Sequence, residues 1–169
     1  MKAFLRIAIG LTLLGGISLS ACGQKKYDEK LASLYENTVP LMQPTTLDSL
    51  QQQPTNVVLL DTRAPEEYNV SHLPEAQLVD YDLYDIDQLD NLSKEDTVIV
   101  YCSVGYRSER VGEAMKKAGF QHVYNLYGGI FQWKNEGKKV INSKNQPTDS
   151  VHTYNRSWSK WLKNGVKVY

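Results

Sequence analysis

Apolar residues along the chain fall into short β-branched runs separated by stretches with helical spacing. Val57-Val58-Leu59-Leu60 and Val98-Ile99-Val100-Tyr101 are the strongest runs, and neither alternates with polar residues. Continuous runs of this length predict strands covered on both faces, as in parallel sheets sandwiched by helices. Val39 to Met42 and Gln77 to Val79 predict two further short strands, the second reached through a turn at His72-Leu73-Pro74-Glu75-Ala76. Helical spacing is clearest from Glu109 to Ala118, where Val111, Ala114, Met115 and Ala118 share one face and Ser108 stands ready as a cap. Thr45 or Thr46 caps a brief predicted helix through Leu47 and Leu50 that Pro54 stops, and Pro65 sits in the first turn of another beginning Pro65-Glu66-Glu67-Tyr68. Strands alternating with short helices predict an α/β fold with a central, mostly parallel sheet flanked by helices. Ligands in such sheets sit at the carboxyl ends of the strands, where Asp61 and Cys102 both fall.

The amino-terminal pattern is different. Lys2 and Arg6 precede an apolar run from Ile7 to Ile17, the length of a signal-peptide core and too short for an ordinary membrane span. Leu19-Ser20-Ala21-Cys22 follows and resembles the lipobox of bacterial lipoproteins, in which the cysteine is lipidated and becomes the first residue. Residues 1–21 are therefore expected to be a lipoprotein signal peptide. Lipid on Cys22 would anchor the chain to a membrane of the bacterial cell envelope, facing an extracytoplasmic space. Residues 22–42 read as a tether ending in a short helix, with Leu31, Leu34 and Tyr35 as a weak stripe.

Composition narrows the function. The 169 residues carry 19 basic and 19 acidic side chains, so no electrostatic case for nucleic acid exists. With Cys22 lipidated, Cys102 is the one remaining thiol and no internal disulfide can form. Cys102 follows a strand, precedes a helix and is separated from it by a tight loop containing Gly105. That arrangement aims backbone N–H groups and the positive end of a helix dipole at the sulfur, a field that favours the reactive thiolate. Cys102 is thus the candidate nucleophile, and the loop of Ser103, Val104, Gly105, Tyr106, Arg107 and Ser108 the candidate substrate cradle.

Three motifs together resemble the rhodanese family. Asp61-Thr62-Arg63 with Glu67-Tyr68 and the His72 to Ala76 turn is similar to the family's first signature, although Glu75 replaces its usual glycine. Leu126-Tyr127-Gly128-Gly129-Ile130-Phe131-Gln132-Trp133 is similar to the second, and Cys102 to Ser108 lies between them as the active loop. The resemblance implies a rhodanese-like three-layer domain over residues 43–140. It implies a persulfide on Cys102, sulfur taken from a small-molecule or protein donor such as thiosulfate, and delivery to a nucleophilic acceptor. In this reading Arg107 offers a forked donor to a sulfonate oxygen, Ser103 and Ser108 add hydroxyls, and no cofactor is required. A sulfur carrier or protein-binding module without turnover is the alternative. Cysteine phosphatases place five residues between cysteine and arginine, whereas four separate Cys102 from Arg107, so loop length favours sulfur over phosphate.

The remaining polar residues read as structural. Asp61 accepts from loop amides after its strand, Arg63 pairs with Glu67 four residues on, and His72 holds its turn. Gly128 and Gly129 form a turn close to the active loop, with Trp133 in the core. His122 and His152 lack ligand spacing, and the run Asp80, Asp82, Asp85, Asp87 and Asp90 lacks the glycine and glutamate of a calcium loop, so no metal is expected. Ile141 to Ser150 reads as loop. The tail of the 141–169 extension carries Trp158, Trp161 and Leu162, with Asn155 as the cap of a short helix ended by Gly165, and is expected to pack back on the domain.

Overall fold

The computed structural model describes residues 15–53, 57–89 and 91–169. Lys2, Arg6, most of the apolar run after them, Pro54, Asp90 and the side chains of Cys22 and Asp87 lie outside what is described. The chain divides into two units, residues 1–33 and 34–169. Helix α1, Gly15–Ala32, occupies the first unit. It begins before the predicted tether helix and ends short of Leu34 and Tyr35, which belong to the second unit. No helix among the described residues is long and apolar enough to cross a membrane.

The second unit is built on five strands: β1 (Leu41–Met42), β2 (Val57–Asp61), β3 (Gln77–Leu78), β4 (Thr97–Tyr101) and β5 (His122–Leu126). Their spatial order is β1-β5-β4-β2-β3, and every pairing is parallel. Parallel neighbours need crossovers, supplied in part by α3 (Pro65–Val70) between β2 and β3 and by α4 (Tyr106–Lys117) between β4 and β5. Helices α2 (Pro44–Gln51) and α5 (Gly129–Asn135) complete the flanking set. The α/β architecture with a parallel sheet between helices is the one the hydrophobic pattern predicts.

Side-chain alternation explains how β4 serves two layers. Val98 and Val100 join Val39, Leu60, Val111, Met115, Phe120 and Val123 in one buried cluster, which seats α4 on the sheet. Ile99 and Tyr101 point the other way and are fully buried. The register pairs Asp61 with Tyr101, so the carboxyl ends of β2 and β4 finish side by side.

Several local expectations are corrected. The cap position of α2 is Gln43, with Pro44 in the first turn, because proline's fixed φ starts the helix before either threonine. Helix α4 starts at Tyr106 with Gly105 at its cap, so Ser108 is already inside the helix. The 141–150 stretch is not loop: β6 (Val140–Ile141) pairs antiparallel with β7 (Pro147–Thr148), around Asn142, whose side chain takes the amides of Lys144 and Gln146. Strand β8 (Ser150–His152) pairs in parallel with β9 (Val166–Val168) beyond the expected Gly165 stop. Asn155 does cap its turn, accepting from the amides of Ser157 and Trp158, but the helix that follows is one 3-10 turn, Ser159–Trp161. Val151 and Leu162 are fully buried, and Asn135 clasps the tail by donating to the Trp161 carbonyl and accepting from Lys163 N–H.

Candidate active site

Cys102 leaves β4 at the carboxyl edge of the sheet and is buried. The chain reverses within Ser103, Val104 and Gly105 and enters α4, so Tyr106 and Arg107 occupy its first turn. Amides in a first turn have no carbonyl within the helix to bond. The Gly105 amide donates to Cys102 Sγ at 3.1 Å. Gly105 holds φ +100°, and a Cβ there would strike the Tyr35 hydroxyl, so only glycine fits.

Two long-range supports fix this loop. Tyr35 donates from its hydroxyl to the Val104 carbonyl at 2.6 Å and accepts from Gly128 N–H at 3.0 Å, tying the active loop to the glycine turn. Burial pushes the Tyr35 phenol far above its ordinary pKa, so it stays a hydroxyl. Asn125 donates to the Gly105 carbonyl and accepts from the Ser108 hydroxyl at 2.8 Å. Ser108 is therefore spent inside the fold and does not present its hydroxyl to the loop's mouth. On the other side, the amides of Ile130 and Phe131 in α5 donate to the carbonyls of Cys102 and Ser103. Gly129 makes this approach possible: its φ is +55°, and a Cβ would meet the Cys102 carbonyl oxygen directly.

The charges pair differently from the sequence expectation. Arg63 is fully buried and binds Asp61, with Nε at 2.9 Å and Nη2 at 2.6 Å, and caps the Ser71 carbonyl. It does not bond Glu67, because Asp61 at the strand end lies directly behind its own backbone turn. Burial opposes the Arg63 charge, but Asp61 outweighs it and raises the pKa. Glu67 instead takes Arg107 in a two-bond fork at 2.7 and 3.0 Å and accepts the Ser103 hydroxyl at 2.9 Å. Burial works to raise the Glu67 pKa, yet the hydrogen bonds and charge of Arg107, helped by Arg63 and Ser103, hold it below the ordinary carboxylate value. Ser103 also accepts from Arg107 Nη2 at 3.1 Å.

His72 secures its turn as expected, with Nδ1 at 3.0 Å from the Tyr68 carbonyl and the ring stacked on Tyr68. Glu75 sits at φ +65°, the left-handed conformation that a glycine adopts without strain, so the turn survives the substitution. Trp133 is buried and donates to the Lys139 carbonyl. Among the described residues no group of His, Cys, Asp and Glu is arranged to hold a metal ion.

Above Cys102 lies a cavity of about 380 Å³. Cys102, Ser103, Val104, Tyr106 and Arg107 form its floor, and Leu34, Tyr81, Asp82, Tyr154 and Trp158 form its walls. Reading the sequence missed these walls, along with Tyr35 and Asn125. Only Asn125 left a local sign, as a polar residue inside the apolar strand β5.

A thiol held by the Gly105 amide at the carboxyl edge of a helix-flanked parallel sheet defines a cysteine-centred α/β domain. The model of the rhodanese-like domain matches residues 43–136, more than half of the chain. The chain belongs to the rhodanese-like domain family. A sulfurtransferase of Allochromatium vinosum is 30% identical over 86 residues, 51% of this chain and 79% of that protein. The Synechocystis protein slr1261, which is uncharacterized, is 32% identical over 104 residues, 62% of this chain and 57% of that one. The rhodanese-like domain of the Anabaena Alr3790 protein superposes with a TM-score of 0.56 at 26% identity, covering 61% of this chain and 79% of that domain. The chain spans between 20% and 57% of the length of the first curated relatives it matches.

Proposed function

We propose that the protein moves sulfane sulfur through a persulfide on Cys102, from a donor such as thiosulfate to a nucleophilic acceptor. The Cys102 thiolate attacks the outer sulfur of the donor. The donor's S–S bond breaks, its electron pair leaves with sulfite, and Cys102 keeps the added sulfur as a persulfide. An acceptor nucleophile then attacks that terminal sulfur and returns the thiolate. The observation that carries this reading is the Gly105 amide donating to Sγ at the start of a helix, an arrangement that favours negative charge on sulfur. Support also comes from family membership and from the Allochromatium relative's activity.

Residues 1–21 act in this proposal as a signal peptide. Lipid on Cys22 holds the domain at an extracytoplasmic membrane surface of a bacterial envelope, with no role for nucleic acid. A second reading, a carrier that loads sulfur but turns over poorly, draws on the Arg107 fork being taken by Glu67. Incubating the full chain with thiosulfate and then cyanide, with intact-mass detection, separates the two. Gain of one sulfur with thiocyanate release supports transfer, and gain without release supports a carrier. Absence of sulfur gain, or equal gain in Cys102→Ala, removes Cys102 from the mechanism.

A further inference from the structure

The cavity over Cys102 is larger and more apolar than an inorganic anion needs. Its volume of about 380 Å³ falls within the roughly 300–1,000 Å³ of sites for small organic molecules. Tyr81, Tyr106, Tyr154, Trp158 and Leu34 supply half of its lining residues. Charge does not compensate. Arg107, the cation of the floor, is neutralised by a two-bond fork to buried Glu67, and the wall adds a further carboxylate, Asp82. A dianion such as thiosulfate therefore meets loop amides at the sulfur and little attraction elsewhere.

Tyr81 and Asp82 belong to the family-matched segment, but the other wall residues come from outside it. Leu34 precedes residues 43–136, and Tyr154 and Trp158 follow them. The β8 strand and the Asn155 turn bring these two aromatics to the mouth, where the Tyr154 ring lies 5.4 Å from the Arg107 guanidinium carbon. That contact shields the cation further and offers a flat face to a ligand beside it.

Resting on the persulfide reading above, we propose that Tyr154 and Trp158 are specificity-determining residues. They select sulfur donors in which an apolar, preferably aromatic, organic body is carried on the sulfonyl sulfur that bears the terminal sulfane sulfur. For an organic thiosulfonate the step is the attack of the Cys102 thiolate on the terminal sulfur. The bond from that sulfur to the sulfonyl sulfur breaks, and the organic sulfinate leaves with the electron pair. The body of the donor rests against the aromatic wall while the loop amides hold the new persulfide.

The test uses the full chain in detergent with benzenethiosulfonate, methanethiosulfonate and thiosulfate as donors, reading the rate of sulfur gain on Cys102 by mass spectrometry. The ratio of benzene to methane donor is normalised to the ratio shown by free cysteine. We expect a normalised ratio of about tenfold or more, the lower end of what apolar complementarity achieves, and a rate with thiosulfate below that with benzenethiosulfonate. Trp158→Ala and Tyr154→Ala each lower the ratio about three- to tenfold. Tyr154 is 57% exposed, so its variant tests the wall without threatening the fold. A normalised ratio near one, or a ratio unmoved in Tyr154→Ala, overturns the wall while leaving transfer intact. Failure of all three donors to load Cys102 overturns the persulfide reading and the wall with it.

Discussion

Removing a single oxygen atom from Tyr35 is expected to weaken the active loop more than its size suggests. Tyr35→Phe keeps the ring, which is buried and meets Tyr127 edge-on at 6.3 Å. It deletes the donor to the Val104 carbonyl and the acceptor for Gly128 N–H. Withdrawing a partner from a buried polar group costs about 1–3 kcal/mol, so two such groups put the loss at about 2–6 kcal/mol. Urea unfolding reads this as a midpoint lowered by about 1–3 M with the slope unchanged. Val104 belongs to the turn that sets the Gly105 amide on Sγ, so persulfide loading should also slow, by about tenfold. Leu47→Ala separates the two effects. It removes a fully buried side chain of α2 that makes no hydrogen bond to the loop and costs about 2–5 kcal/mol, and its loading rate in native buffer should hold. A Tyr35→Phe midpoint within about 0.3 M of the parent, or equal slowing in both variants, would refute the argument that this hydroxyl positions the loop.

Glu67→Gln should destabilise by about 2–3 kcal/mol, since it leaves a mostly buried guanidinium without its carboxylate. It should also flatten the acid side of the stability profile. The native Glu67 pKa lies below the ordinary carboxylate value, so its contribution is complete above a pH of about 4.3 and fades as pH falls through the native value. Chemical unfolding of parent and variant across that window should show their difference shrinking toward acid, and a constant difference contradicts the pairing. Gly129→Ala should cost about 3 kcal/mol or more and abolish loading, because its Cβ would overlap the Cys102 carbonyl at a positive φ. Retained persulfide formation in a folded Gly129→Ala protein would show that α5 can withdraw from the loop.

What sequence determined here was local. The runs at Val57 to Leu60 and Val98 to Tyr101, the helical stripe after Arg107 and the two flanking motifs specified an α/β sheet with Cys102 at its carboxyl edge. Periodicity encodes such elements because each one depends on neighbours a few residues away. The count of four residues between Cys102 and Arg107 was likewise readable directly. Tertiary structure decided the partnerships. Arg63 had Asp61 and Glu67 both within reach in sequence, and only the folded chain sent Glu67 forty residues away to Arg107. Tyr35 reaches Gly128 across 93 positions, and Tyr154 and Trp158 arrive at the cavity from a tail whose local pattern shows only an apolar stripe. No local pattern records such choices, because hydrogen-bonding groups and aromatic faces are satisfied by whatever the packed fold brings beside them.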